Sequence, residues 1–476
     1  MHEQLKPSSS SRVVRRPRVN DVSSISFEVS EPKLTSRSFS SPLILISVFV
    51  MLIMIGTVLL CAPFSHHGVG FSDPLTALFT ATSAVTVTGL VVVNTSDHWT
   101  DTGHGVLLFL MFIGGLGFMS LAAFLLAILG QRVSIAQRLL IRETFSVDQM
   151  GGLQRLSVAI VLTAIGIQIL GFLALLARFL FLYDPATAVW QAAFHAVSGF
   201  NNAGIIIFPE EGGLTSHQGD AITLGIIGAL IVFGSLSFWV VSDLIMKRRF
   251  STFSLVSKIV LVMTITLIFF SAIFVFFSEG SNERTLAPLS ISHKILISIF
   301  EGISGRTAGF TTIDYAYARP ATDVFMSLMM FIGGATASVA GGIKVTTFFV
   351  MIIAIYAIVR ERAHVTAFGR EIDRATITRS FAVFSVCLGF VFLCTLALAL
   401  TNSHILVRDV AFESVSAFGT VGLSTGVTSD LNVTGQVIIV VTMLVGRVGP
   451  LIIGLKMVPN RDSSSYRYAS ETVTIG

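Results

Sequence analysis

Four stretches of the chain share one pattern: Phe79-Thr-Ala-Thr-Ser83-Ala-Val-Thr-Val-Thr-Gly89-Leu90, Phe194-His-Ala-Val-Ser198-Gly-Phe-Asn-Asn-Ala-Gly204-Ile205, Phe300-Glu-Gly-Ile-Ser304-Gly-Arg-Thr-Ala-Gly309-Phe310 and Phe412-Glu-Ser-Val-Ser416-Ala-Phe-Gly-Thr-Val-Gly422-Leu423. Each has Phe, then Ser one helical turn later, then a glycine followed by an apolar residue. The third copy is one residue shorter between its Ser and its Gly. The glycines recur roughly every 110 residues, a period that implies duplicated subdomains rather than a solenoid.

Long apolar runs flank every copy. Those before the glycine stretches cover about 42–64, 156–182, 256–278 and 378–400; those after cover about 103–130, 220–246, 322–359 and 433–458. Each is long enough to cross about 30 Å of hydrocarbon as a helix. The 476 residues are 53% hydrophobic and only 12% charged, with a mean hydropathy of +0.82. A soluble domain needs more surface charge, so the fold class is an all-α polytopic membrane protein. It divides into repeat 1 (41–131), repeat 2 (156–247), repeat 3 (256–360) and repeat 4 (378–458), with tails at 1–40 and 459–476.

Charge sets the expected orientation. Of 31 Lys and Arg, 23 fall in the N-terminal tail, the segments 131–155, 247–258 and 360–379, and the tail from Lys456. All lie on one side if every repeat crosses twice, and the positive-inside rule makes that side cytoplasmic. The glycine stretches then re-enter from outside. The N-terminal tail, Ser-rich with Arg12, Arg15, Arg16 and Arg18, lacks the early apolar core of a secretory leader and reads as a topology signal. Its basic cluster could also touch anionic membrane lipid. The three cysteines, Cys61, Cys387 and Cys394, sit in apolar segments and suggest neither disulfides nor a zinc site.

Non-helical backbone at membrane depth is tolerated where protein covers it or where it lines a water-filled cavity. Four such turns can meet on one axis. A short helix leading into each would aim its negative end there, and the following residues could offer backbone carbonyls to a dehydrated cation. Glycine lets those backbones converge without an intervening side chain.

These stretches resemble the Trk/Ktr/HKT superfamily of potassium transporters, over about residues 42–476, and most of all its Ktr-type membrane subunit. The resemblance implies four membrane helix–pore helix–filter loop–membrane helix repeats around one central pore. It places the selectivity filter at Thr86-Val87-Thr88-Gly89, Asn201-Asn202-Ala203-Gly204, Arg306-Thr307-Ala308-Gly309 and Gly419-Thr420-Val421-Gly422. It further implies K+ contacts from Val87, Thr88, Asn202, Ala203, Thr307, Ala308, Thr420 and Val421. Arg306 departs from the pattern and reads as a brace behind the filter, since a charge on the axis would repel the ion.

A second set recurs after each filter: Gly114-Gly115-Leu116-Gly117, Gly234-Ser235-Leu236-Ser237, Gly333-Gly334-Ala335-Thr336 and Gly446-Arg447-Val448-Gly449. Most of these glycines read as close packing by small residues. Arg447 stands where the other copies have Gly or Ser, and a lone arginine in an apolar span is costly enough to mark function. By the resemblance it sits on the axis below the filter as a barrier. The run Gly333, Gly334, Ala335, Thr336, Ala337, Ser338, Val339, Ala340, Gly341, Gly342 is a poor helix. The resemblance makes it an intramembrane gating loop, the alternative being a kinked helix. Lys344 directly after it calls for polar surroundings, which an aqueous cavity would supply.

Other classes fit less well. Ser198 recurs in every copy whereas His195 occurs once, so repetition explains that serine better than catalysis does. No Walker A or HExxH motif is present, and neither an enzyme nor a nucleic-acid binder is expected. Alternating-access carriers often have inverted repeats, whereas these copies run parallel. Two narrower alternatives stay open, a sodium-permeable transporter and a symporter coupled to H+ or Na+. The chain is expected to carry no cofactor and to move K+. The resemblance adds a homodimer in the bacterial inner membrane, both termini cytoplasmic. It also adds a cytosolic ring of KtrA- or TrkA-like regulatory subunits that bind ATP/ADP or NAD(H), with 131–155, 360–379 and the C-terminal tail as docking surfaces.

Overall fold

The computed structural model describes residues 42–117, 153–210, 212–247, 249–336 and 338–456. The expected tails, the segment 131–152, the distal part of the second span of repeat 1 and Ala337 of the expected gating loop lie outside them.

Each repeat opens on a long apolar helix: Pro42–Cys61, Leu153–Phe179, Leu255–Glu279 and Arg374–Thr401. A shorter helix follows: Pro74–Thr86, Pro185–Phe200, Ile291–Ser304 and Val407–Gly419. The sequence dictates where these short helices begin. Asp73 and Asp184 cap the first two, each accepting the main-chain N–H of the residue three further on (Thr76 at 2.9 Å, Thr187 at 3.1 Å), with proline opening the helix. Ser290 caps the third through the His293 N–H. The fourth, after Leu406, has no side-chain cap bond and carries Asp409 in its first turn.

Each repeat closes on a second apolar segment. In repeat 1 its described part is Asp101–Leu116, and in repeat 4 it is the single helix Val433–Lys456. Repeat 2 departs from the continuous span expected over 220–246. It splits into Ala221–Ser235 and Phe238–Lys247, which meet at 103°. At the break Leu236 is extended, and the carbonyls of Gly234 and Ser235 bond to main-chain N–H groups of repeat 3, those of Val339 (3.3 Å) and Ala335 (3.0 Å). In repeat 3 the helix Pro320–Phe331 stops, and Val345–Val359 resumes after an irregular passage. A two-residue hairpin, Thr366–Ala367 against Arg370–Glu371, then leads to repeat 4.

The recurring phenylalanines show how the repeats are joined. Phe79, Phe194, Phe300 and Phe412 are all buried, yet each is buried mainly in another repeat's core. Phe194 packs among Leu60, Val85 and Leu107 of repeat 1. Phe300 packs with Phe179, Ile227 and Leu230 of repeat 2, and Phe412 with Val275, Met326 and Met330 of repeat 3. Phe79 completes the circle among Leu398, Val410 and Ile439 of repeat 4. Close packing of these rings against the neighbouring repeat makes the Phe of the motif the joint between neighbours.

Candidate functional site

The short helices all end on the glycine turns, and those turns touch in cyclic order. A Cβ added to Gly89 would collide with the Ala203 carbonyl oxygen; one on Gly204, with that of Ala308; one on Gly309, with that of Val421; one on Gly422, with that of Thr88. Every glycine is thus closed against the backbone of the next repeat, and the fourth against the first. All four have φ between +66° and +97°, where a side chain would be strained even with room to spare.

The turns themselves are of two kinds. In repeats 1, 2 and 4 the helix ends in a pair of crossed bonds. Thr88, Ala203 and Val421 N–H groups reach back to the Ser83, Ser198 and Ser416 carbonyls (2.8, 2.8 and 3.0 Å), and Val87, Asn202 and Thr420 to Ala84, Gly199 and Ala417. That geometry forces Val87, Asn202 and Thr420 into the left-handed region, at φ +57°, +56° and +48°. For a β-branched residue such as Val87 or Thr420 this costs about 1–2 kcal/mol. Repeat 3 lacks one residue here, and Thr307 and Ala308 both bond to the Ser304 carbonyl instead. Its turn needs no left-handed residue other than Gly309.

In three repeats the recurring serine's hydroxyl bonds to the turn, while that of Ser304 has no hydrogen-bond partner among the described residues. Ser83 Oγ accepts the Gly89 N–H at 2.9 Å, and Ser416 Oγ accepts that of Gly422 at 3.1 Å. In repeat 2 the polarity reverses, and Ser198 Oγ donates to the Ile205 carbonyl at 2.8 Å. Sequence reading explains this serine only as repetition; its place six residues ahead of the glycine in repeats 1, 2 and 4 is the signal that could have assigned it.

The second spans press on the same turns. Added Cβ atoms at Gly114, Gly234 and Gly446 would overlap the carbonyl oxygens of Val85, Phe200 and Phe418, each in the last turn of its own repeat's short helix. Gly333 instead faces the Gly341 carbonyl within the irregular passage.

That passage, 333–343, is held at both ends and in its middle. The Gly333 N–H bonds to the Ile343 carbonyl at 2.8 Å, and Val345 to Gly334 at 3.1 Å. Thr336 and Thr346 join by their hydroxyls at 3.0 Å, and Ser338 Oγ donates to the Ala335 carbonyl at 2.7 Å. Gly341 lies so close under repeat 4 that a Cβ would strike Thr420 Oγ1, and Gly342 faces the Gly419 Cα. Lys344 Nζ donates to the Ala340 carbonyl at 2.6 Å. One polar partner of this amine is thus the passage's own backbone.

Arg447 reaches this passage directly. Its Nη1 donates to the Val339 carbonyl and its Nη2 to the Gly114 carbonyl at 2.8 Å. The expected barrier and the expected plug are therefore one bonded unit across repeats 4, 3 and 1. Arg306 is buried, with Nη2 3.5 Å from Ser235 Oγ, beside the break in repeat 2. Its Nε and Nη1 have no hydrogen-bond partner among the described residues.

Known proteins share this architecture. A family model described as cation transport protein, TrkH, matches residues 22–466. The Ktr system potassium uptake protein B of Bacillus subtilis is 38% identical over 92% of this chain and 97% of its own length. The potassium/sodium uptake protein NtpJ of Enterococcus hirae is 34% identical over 92% of this chain and 98% of its own. The potassium transporter TrkH of Vibrio parahaemolyticus superposes with a TM-score of 0.68, at 17% identity over 90% of this chain and 86% of that one. With the fold and the sequence agreeing over nearly the whole chain, it belongs to the TrkH family of cation transport proteins.

Proposed function

We propose that the chain is the ion-translocating subunit of a potassium uptake system, conducting K+ between its four glycine turns. The cyclic closure of Gly89, Gly204, Gly309 and Gly422 carries this reading. Four backbones held that closely, none with a side chain between them, can replace a cation's water with carbonyl oxygens, chiefly at Val87, Thr88, Asn202, Ala203, Thr307, Ala308, Thr420 and Val421. The relatives' names, which speak of potassium or potassium and sodium uptake, support the choice of ion.

Below the turns, 333–343 and Arg447 form the gate. Two cationic side chains, Arg447 and Lys344, spend hydrogen bonds on carbonyls of that passage. Moving it must break those bonds and bring the charges elsewhere, which supplies a threshold. The proposal includes a homodimer with one pathway per chain, a cytosolic nucleotide-binding ring as regulator, and a bacterial inner-membrane location with both termini inside. The name "Ktr system" of the relatives fits a transporter of several components.

Expression in a bacterium deficient in potassium uptake tests the reading. Growth at low potassium, stronger when the regulatory ring is co-expressed, is the expected outcome; sodium uptake undiminished by potassium would replace it with the sodium-permeable reading that the NtpJ name favours.

A further inference from the structure

The residue after the motif phenylalanine is Thr80 in repeat 1, His195 in repeat 2 and a glutamate in repeats 3 and 4, Glu301 and Glu413. In repeats 3 and 4 it does the same thing twice over. Glu301 Oε1 accepts the Thr312 N–H at 2.7 Å, and Oε2 accepts the Tyr315 hydroxyl at 3.0 Å. Glu413 Oε1 accepts the Thr425 N–H at 3.1 Å, and Oε2 accepts the Thr428 hydroxyl at 2.7 Å. Thr312 and Thr425 are each the third residue after the filter glycine, Tyr315 and Thr428 the sixth. The hydroxyl two residues after the glycine also donates to each Oε1, from Thr311 at 3.1 Å and Ser424 at 2.6 Å, and Glu301 Oε1 takes the Thr312 hydroxyl as well, at 2.9 Å. Both carboxyl groups are fully buried, so these protein donors stand in for water.

Repeats 1 and 2 hold the same limb differently. Thr80 spends its hydroxyl on its own helix, at the Thr76 carbonyl. His195 stacks on Phe208 with ring centroids 3.9 Å apart, and Gln191 Nε2 donates to the Ile207 carbonyl at 2.8 Å. The limb leaving the glycine is therefore tied to its helix by a carboxyl group in repeats 3 and 4 and by neutral contacts in repeat 2, whereas in repeat 1 Thr80 turns back to its own helix.

We infer that Glu301 and Glu413 are positioning residues for ion selectivity: each clamps the limb leaving its filter glycine to the helix entering it, fixing the carbonyl spacing in repeats 3 and 4. This rests on the glycine turns being the filter. A clamp of this kind works through geometry. A carbonyl set that cannot contract around a smaller ion leaves Na+ under-coordinated, whereas a loosened limb lets it close in. One bond to a carboxyl group is worth enough to shift a preference about tenfold.

The test is competitive K+ and Na+ uptake by E301Q, E413Q and the double variant, beside Tyr315→Phe and Thr428→Val, which remove one tie and leave the carboxyl group. Glutamine keeps the shape but gives up one accepting oxygen. The K+/Na+ preference is expected to fall about threefold in each glutamine variant and about tenfold in the double. The KM for K+ should rise while maximal velocity stays within about twofold, a split that loss of folded protein would not produce. Tyr315→Phe and Thr428→Val should shift preference in the same direction by less, and they decide the matter if a glutamine variant fails to reach the membrane. Unchanged preference in those two variants overturns the clamp, whether or not the glutamine variants respond through their charge. Gly309→Ser separates the two levels. If it lowers preference while all four brace variants do not, the clamp alone is wrong; if it too is silent, the filter reading falls first.

Discussion

The guanidinium of Arg447, in the second span of repeat 4, donates to the main-chain carbonyl of Val339, in the interrupted span of repeat 3. Its other terminal nitrogen holds Gly114 of repeat 1 at 2.8 Å. Replacing Arg447 by Gln cannot leave the passage 333–343 untouched. The variant should show a higher K+ flux and less dependence on a regulatory ring, both from one change. Flux raised with regulation intact would separate the barrier from the latch.

Gly341 gives a second handle on the same passage. A Cβ there meets Thr420 Oγ1, so Gly341→Ala should wedge the passage away from repeat 4. Uptake velocity without the ring is expected to rise about severalfold, in parallel with a deletion of Ala337 to Ala340. The detergent-extracted oligomer should be unchanged in both; loss of oligomer and uptake together would make the passage structural.

Selectivity tests the ring of glycines. Gly89→Ser, Gly204→Ser, Gly309→Ser and Gly422→Ser each drive a Cβ into a carbonyl of the next repeat, in a left-handed conformation. Competitive uptake should show about tenfold or greater loss of preference for K+ over Na+ in each. Equal preference in all four variants and the parent would remove these residues from the pathway.

Orientation can be read with an impermeant thiol reagent. Val69 is fully exposed in the loop before the first short helix, and Ala363 is exposed just before the hairpin. Val69→Cys should be labelled in intact cells, and Ala363→Cys only after permeabilisation. The reverse pattern would invert the chain.

Asp73 caps the first short helix, beyond the end of the long helix Pro42–Cys61. The Thr76 N–H donates to its carboxyl and holds it below the ordinary carboxylate range. A lowered folded value means its contribution is full above the ordinary value of about 3.9 and is lost as the pH falls through the folded one. Asp73→Ala should lower stability by about 1 kcal/mol at neutral pH. In thermal melts that difference should shrink as the pH is lowered below about 4.

Much of the fold is legible in the sequence because duplication writes it four times. Phe79, Phe194, Phe300 and Phe412 can be aligned by eye, and the apolar runs around them have one reading in a chain this poor in charge. The break in repeat 2 is not legible. Gly234-Ser235-Leu236-Ser237 reads as a helix with small residues, and the N–H groups that take its carbonyls belong to Ala335 and Val339, distant in the chain. The partner of Arg447 is hidden for a related reason: it is a carbonyl, which every residue has, so nothing at Val339 announces it. Glu301 and Glu413 could have been assigned, since both stand between the motif Phe and the glycine with hydroxyl residues three and six positions beyond it. Their shared place is visible in the sequence; the limb they hold shows only once the chain is folded.

Closure of the circle through Phe79 has a consequence for synthesis. That side chain is buried among Leu398, Val410 and Ile439, residues translated after three of the four repeats have left the ribosome. Until then Phe79 and Gly89 lack their counterparts in repeat 4, and the Gly114 carbonyl has no Arg447. Folding of the first repeat is thus completed by the last, a contact of very long sequence separation and correspondingly slow formation. A nascent chain halted after repeat 3 is an open arc with polar backbone facing lipid, a substrate for membrane quality control rather than a smaller transporter.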